Sequence, residues 1–360
     1  MEKKYLVALY SFDAFGPART KLLLQYFGSA KKAWDADPKT LLEIGLIENT
    51  VKKFVSYRKQ FDIPTYFEKL EKLKVNVVTL GEKGYPKNLS EIDDAPPVLY
   101  FRGELRKSDD YSVAIVGTRK LTSYGREATQ IFARGLSGYG ITIVSGLAFG
   151  IDAIAHKEVV DAGGRGIAVL ASGLDIITPF SNTYLAKKLL ESGGAIVSEY
   201  PLGHIPQKYD FPQRNRIISG LSKAVIVIEG ARQSGTLLTA SHAAEQGRTV
   251  FAVPGQITSP MSEAPHYLIA NGAKIAFSVS DVIDELGWEI KRDVETISKV
   301  MPSDKIEEKI LVVLANEPLH IDELGRILEL KISEISAKLT VMQLKGLVKG
   351  LGAGIYKKIS

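Results

Sequence analysis

The sequence predicts an α/β protein: a Rossmann-like parallel-sheet domain, preceded by a small helical domain and followed by a winged helix-turn-helix. Three observations carry this. Between residues 111 and 287, short runs rich in Val and Ile ("SVAIVG", "GITIVSG", "GIAVL", "GAIVSE", "KAVIVIEG", "RTVFAVPG") alternate with helical stretches. Near-continuous apolar strands separated by helices imply a parallel sheet buried on both faces. Residues 1–65 show apolar residues at helical spacing only, and residues 306–360 end in helix, turn, helix and a glycine-tipped hairpin, "LVKGLGAGIYKKI".

In chain order, Gly16-Pro17 opens the first clear helix and Gly28-Ser29 interrupts it. Asp37 or Thr40 caps the next, which Ile44-Gly45 divides. Helix–glycine–helix pairs resemble helix-hairpin-helix modules, whose turn amides hold DNA phosphates; a purely structural helical cap is the competing reading. Residues 66–105 form a bridge, stiffened by Pro96-Pro97, with "VLYF" as a short strand. Residues 289–305 are polar and charged and read as a linker. In the C-terminal domain the would-be recognition helix exposes Ser333, Glu334, Ser336, Lys338, Thr340 and Gln343. With an acid and no arginine, that set suits base reading in a major groove poorly, and a protein-docking use stands beside it.

Composition excludes several classes. Of 360 residues, 45% are hydrophobic and 24% charged, ordinary for a protein with a real core. No apolar run approaches the ~20 residues that span a bilayer, and the N-terminal apolar patch is too short for a signal-peptide core. A cytoplasmic protein with no membrane partner is expected. The absence of cysteine excludes disulfides, thiolate catalysis and cysteine zinc sites. Five scattered histidines lack metal-site spacing; Asp152 and His156, four apart, are far from a ligand set. No metal and no cofactor are expected. Net charge is +5, and it is spread along the chain, so a nucleic-acid partner would need a local pocket rather than a broad positive field.

Ligands of parallel sheets sit beyond the carboxyl ends of the strands, and three of those ends are glycine-rich. "VGTRK" carries Gly117, Thr118, Arg119 and Lys120; "SGLAFGID" carries Gly146 and Gly150; "IEGARQSGTLLTA" carries Gly230, Ser234, Gly235 and Thr236. Free amides at helix starts bind phosphate oxygens, so these loops are phosphate-cradle candidates. The dinucleotide fingerprint, the Walker lysine and the G-x-S-x-G elbow are all missing. Glu199 and Glu229 end strands; each is either a general base or, more plainly, a helix cap or arginine partner. A single nucleic-acid strand would need cations and stacking platforms. Arg119, Lys208, Arg214 and Arg216, with Asn215 between the last two, supply the first, and Phe149 and Phe180 the second. Arg214 and Arg216 are two apart, so on a helix they cannot face the same way. Either they meet different phosphates or one braces the pocket wall. Pro212 is expected to keep the chain from being helical before it.

The motifs "YPKNLSEIDDAPPVLYFRG", "AIVGTRKLTSYG", "IVSGLAFGIDAIAHK", "GIAVLASGLD", "SEYPLG", "FPQRNRIISGLSKAVIVIEGARQSGTLLTASHAAEQGRTVFAVPG" and "LIANGAKI" resemble those of the bacterial DNA-processing protein A family, also called DprA or Smf. The resemblance covers nearly the whole chain. It implies a sterile-alpha-motif-like helical domain, an extended Rossmann fold and a winged helix. It further implies a non-catalytic protein that binds single-stranded DNA, protects incoming strands, displaces single-strand-binding protein, loads the RecA recombinase in natural transformation and dimerises through the Rossmann domain. The family's Gly-Ser/Thr-Arg element matches Gly117-Thr118-Arg119, and its basic positions match Arg214 and Arg216, with Lys208 earlier. One departure is the loop "TPFSN", where Thr178 replaces a tyrosine and the first basic residues, Lys187 and Lys188, come later. The alternative is a nucleotide-phosphate binding or hydrolysing enzyme of the same Rossmann superfamily. Those enzymes resemble this chain through a glycine loop followed by a catalytic glutamate, where Leu237-Leu238 stand here.

Overall fold

The computed structural model describes residues 2–288, 305–315, 317–344, 347–352 and 354–358. The chain divides into two compact units, Met1–Glu289 and Ile290–Ser360. The expected linker at 289–305 lies outside the described residues, apart from Lys305.

The first unit begins with α1 (Glu2–Tyr10), α2 (Pro17–Phe27), α3 (Ala30–Asp35), α4 (Pro38–Glu43), α5 (Glu48–Gln60) and α6 (Ile63–Lys72). Pro17 sits in the first turn of α2, where a missing N–H loses nothing. Of the two cap candidates, Asp37 is the one used: its carboxylate accepts from the Thr40 N–H at 3.0 Å. Gly28 and Gly45 close their helices by donating their N–H groups to Leu24 O and Leu42 O, both at 2.9 Å. Those turn amides are spent inside the module, which favours the structural-cap reading over phosphate binding. Phe12, Phe15, Trp34 and Phe54 fill a separate core here, with Phe12 and Phe15 packed edge-on at 4.9 Å.

The sheet is built from β1 (Asn76–Thr79), β2 (Val98–Gly103), β3 (Ser112–Val116), β4 (Thr142–Ser145), β5 (Gly166–Val169), β6 (Ala195–Ser198), β7 (Ala224–Val227), β8 (Thr249–Ala252) and β9 (Lys274–Ile275). Between them run α7 (Lys87–Ser90), α8 (Ser123–Gly138), α9 (Ile151–Asp161), α10 (Thr183–Glu191), α11 (Asp210–Leu221), α12 (Gly235–Glu245) and α13 (Glu263–Ala270), with α14 (Val279–Leu286) last. Strand order is β1-β2-β6-β5-β4-β3-β7-β8-β9. Pairing is parallel from β6 through β9. β2 alone runs against the others, pairing antiparallel with both β1 and β6, so the bridge extends the sheet and is not merely a connection. Strands β3 to β7 are buried at every position, as their unbroken Val/Ile runs require.

The second unit comprises α15 (Lys305–Val313), β10 (Leu319–His320), α16 (Ile321–Leu328), α17 (Ile332–Leu344), β11 (Val348–Gly352) and β12 (Ile355–Lys358). Its three strands pair antiparallel in the order β10-β12-β11, around a core that includes Ile310, Leu324, Ile335, Leu339 and Met342. Helix, helix and hairpin wing make this a winged-helix fold.

Candidate nucleic-acid interface

A pocket of about 270 Å³ lies beyond the carboxyl ends of β3, β4 and β7. It brings together Gly117, Thr118, Arg119, Arg214, Asn215, Ser234, Gly235 and Thr236 from three separate stretches of chain. Arg119 stands exposed at its mouth, its guanidinium 5.3 Å from the centre of the Phe211 ring, a platform that orients a cation. Helix α12 starts at the pocket and turns its N-terminal partial positive charge that way.

The walls are pinned by loops that only glycine permits. A Cβ on Gly146 would lie 2.1 Å from Arg214 Nη1, so glycine there is the condition for Arg214 to enter. Gly150, at φ +79°, turns the chain so tightly that a Cβ would lie 2.2 Å from the Thr118 carbonyl. Ile151 N–H then donates to that carbonyl at 3.2 Å, joining two of the glycine loops.

Three expectations need correction. Arg214 and Arg216 are only 4% and 3% exposed and do not reach out of the protein for phosphates. Arg214 Nη1 donates to the carbonyls of Gly146 and Val169, both at 2.6 Å, and its charge faces Asp152. Arg216 pairs with the buried Glu199, lies 3.3 Å from Asp94 Oδ2 and donates to Asp94 O at 2.8 Å. The two occupy opposite sides of α11: Arg214 lines this pocket, and Arg216 lines a different cleft. Second, two expected phosphate amides are already engaged. Thr118 N–H donates to Glu229 O at 2.8 Å and Gly146 N–H to Asp152 Oδ2 at 3.1 Å. Third, α11 begins at Asp210, two residues ahead of Pro212, because proline is tolerated in a helix's first turn.

The remaining candidates divide. Gly230 is buried in the wall, its N–H donating to Met261 O at 2.7 Å, and does not line the pocket. Lys208 is exposed near the start of α11, outside the lining. Phe149 and Phe180 are 51% and 86% exposed. Asn182 ties their loops together by donating its Nδ2 to Leu147 O at 2.8 Å, while Leu147 itself is buried in the left-handed region at φ 56°. Two exposed rings on one braced loop pair are the kind of face on which a base stacks. Sequence reasoning missed Phe211 and Tyr184; the latter is 70% exposed with Lys188 Nζ 5.5 Å from its ring centre. Their only signal was adjacency to the predicted cations.

Electrostatics shape the floor. Burial pushes the Asp152 carboxyl up, against the pull of Arg214 and the amides of Ala148 and Gly146. Burial brings the Arg214 guanidinium down to about 10, with Asp152 opposing. Arg214 Nε and Ser234 Oγ are buried without a hydrogen-bond partner, and both residues line the pocket. Orphaned donors of this kind lose free energy until an acceptor arrives. The strand-end acids are otherwise committed. Glu229 accepts from Thr122 N–H at 3.0 Å and Thr122 Oγ at 2.6 Å, at the start of α8, and Glu199 holds Arg216.

Fold and site together define an extended Rossmann-like protein with a glycine-walled, donor-lined pocket, joined in one chain to a winged helix. A family model described as DNA recombination-mediator protein A matches residues 76–287, and one described as the DprA winged helix domain matches 297–354. Protein Smf of Synechocystis sp. is 34% identical over 96% of both chains. The X-ray structure of DNA processing protein A from Streptococcus pneumoniae superposes with a TM-score of 0.67 at 34% identity, covering 78% of this chain and 97% of that one. DNA processing protein A from Helicobacter pylori, whose structure is described for its single-stranded DNA binding mode, gives 0.54 at 29% identity, covering 61% and 98%. The chain belongs to the DNA recombination-mediator protein A family.

Proposed function

We propose that this chain binds single-stranded DNA without sequence preference and serves as a recombination mediator. One observation carries the reading: an exposed arginine, Arg119, stands at the mouth of a pocket where helix α12 begins, with the buried cation Arg214 in its floor. A phosphate at the mouth meets Arg119 and the N-terminal end of α12, and the exposed rings of Phe149 and Phe180 offer faces for bases. In this reading Arg119, Ser234, Gly235 and Thr236 meet the strand, and Arg214 gives charge from the floor. The Helicobacter pylori relative's single-stranded DNA binding supports it.

The finer role rests on the family resemblance. The protein protects incoming strands, displaces single-strand-binding protein and delivers the strand to RecA in transformation, as a cytoplasmic homodimer. Exposed Ile257 and Phe277, beyond the ends of β8 and β9 and 91% and 75% exposed, are apolar enough for a subunit contact. Among the described residues no helix is long and apolar enough to cross a membrane. The reading assigns no catalysis; the commitment of Glu229 to Thr122 supports that.

Fluorescence anisotropy with single- and double-stranded oligonucleotides tests it, alongside a nucleotide-monophosphate hydrolysis assay. Single strands bind, and Arg119→Ala weakens binding for every sequence while flattening the log–log salt slope by roughly 0.7 per phosphate lost. Hydrolysis without strand binding reverses the assignment to the nucleotide enzyme.

A further inference from the structure

A second cleft, about 1000 Å³ and independent of the DNA pocket, opens between the N-terminal helices and residues 199–216. Its electrostatics are opposite. Asp13, Asp62 and Asp210 line it against Lys69, while Glu199 and Arg216, also in the lining, pair with each other and Asp94 adds a second acid at Arg216. A phosphate chain is repelled here. Glu199 is 5% exposed, and its Oε1 has no hydrogen-bond partner. A buried carboxylate oxygen without a donor is expensive, and a cationic donor offsets that most strongly.

The cleft is built rather than left over. Tyr200 and His204 stack with ring centres 4.3 Å apart and planes 9° from parallel, and His204 Nε2 lies 2.8 Å from Asp210 Oδ2. Leu202 N–H donates to the Tyr66 hydroxyl at 3.0 Å, tying one wall to the other, and Tyr10 donates to Glu199 Oε2 at 2.7 Å. Tyr57, Tyr66, Tyr200 and Tyr209 also line the space. Carboxylates beside tyrosine rings are the environment that holds guanidinium and ammonium groups, through charge and cation–π attraction. A volume at the top of the usual range for small-molecule sites leaves room for an aliphatic stem behind the charged head.

We propose that this cleft binds a small organic cation, a guanidinium or ammonium group on an aliphatic stem. Isothermal titration calorimetry on the full chain tests it, with agmatine and spermidine as probes, triacetylated spermidine as the uncharged control and deoxyguanosine monophosphate as the anionic one. Glu199→Gln breaks the Arg216 pair and endangers folding, so the variants are Asp13→Asn and Tyr209→Ala, both exposed and checked by thermal unfolding. Saturable binding of a cationic probe, none of either control, and a loss of tenfold or more in the double variant are expected. No saturable binding of either cation, affinity unchanged in the double variant, or binding of the nucleotide in their place overturns the proposal.

Discussion

Replacing Arg216 by alanine separates a structural arginine from a DNA-binding one. Arg216 is 3% exposed and holds Asp94 and Glu199. Without it, Glu199 stays buried, keeping the Tyr10 hydroxyl at 2.7 Å on one oxygen and nothing on the other. A buried carboxylate stripped of its cation costs about 3–5 kcal/mol. With an unfolding entropy of ~2.1 cal/mol/K per residue, that lowers the Tm of a unit this size by roughly 5–8 °C. The double variant Arg216→Met/Glu199→Met removes both charges and recovers at least half of the loss, since an apolar pair of similar volume replaces a buried ion pair at little cost. Circular dichroism melting reads the stability. A salt titration of oligonucleotide binding, at a temperature where the variant is folded, reads the contact. The slope of Arg216→Ala stays at the wild-type value, in contrast to Arg119→Ala. An unchanged Tm together with a slope flattened by about 0.7 would show that Arg216 holds a phosphate, and the wall-bracing account of α11 would fail.

Two further outcomes follow from residues packed behind Arg214 and Asp152. Gly146→Ala places a Cβ 2.1 Å from Arg214 Nη1; by the usual cost of overpacking it lowers stability by about 1–3 kcal/mol and weakens oligonucleotide binding. A urea midpoint and an affinity that both match wild type contradict this. His156 is fully buried, and burial lowers its pKa to about 4. Because the folded value lies below the unfolded one near 6.5, the unfolded chain takes up the proton first. The resulting stability is fully present above about pH 6.5 and is lost as the pH falls towards about 4, on the order of 3 kcal/mol in all. Asp152 titrates nearby, so urea unfolding of His156→Leu against wild type across that window isolates the effect; parallel profiles exclude it.

Much of the molecule was legible in the order of residues. The Val/Ile runs mark each parallel strand because burial on both faces leaves no polar position to break the pattern. Gly117-Thr118-Arg119 and Ser234-Gly235-Thr236 could be placed at one sheet edge because parallel topology puts every strand's carboxyl end on the same side. Less visible was β1, whose four residues (Asn76–Thr79) are too short to signal a strand without the partner β2.

The order of residues alone thus settles the parallel sheet, the glycine loops, the winged helix and the cation at Arg119. The fate of Arg214 and Arg216 was settled by packing. Helical periodicity sets them about 200° apart, yet says nothing of which side is wet. That depended on Gly146 and Val169, on Asp94 and on Glu199, residues distant along the chain that meet α11 only after the sheet has closed beneath it. Burial is a property of neighbours, and those neighbours come from the whole fold.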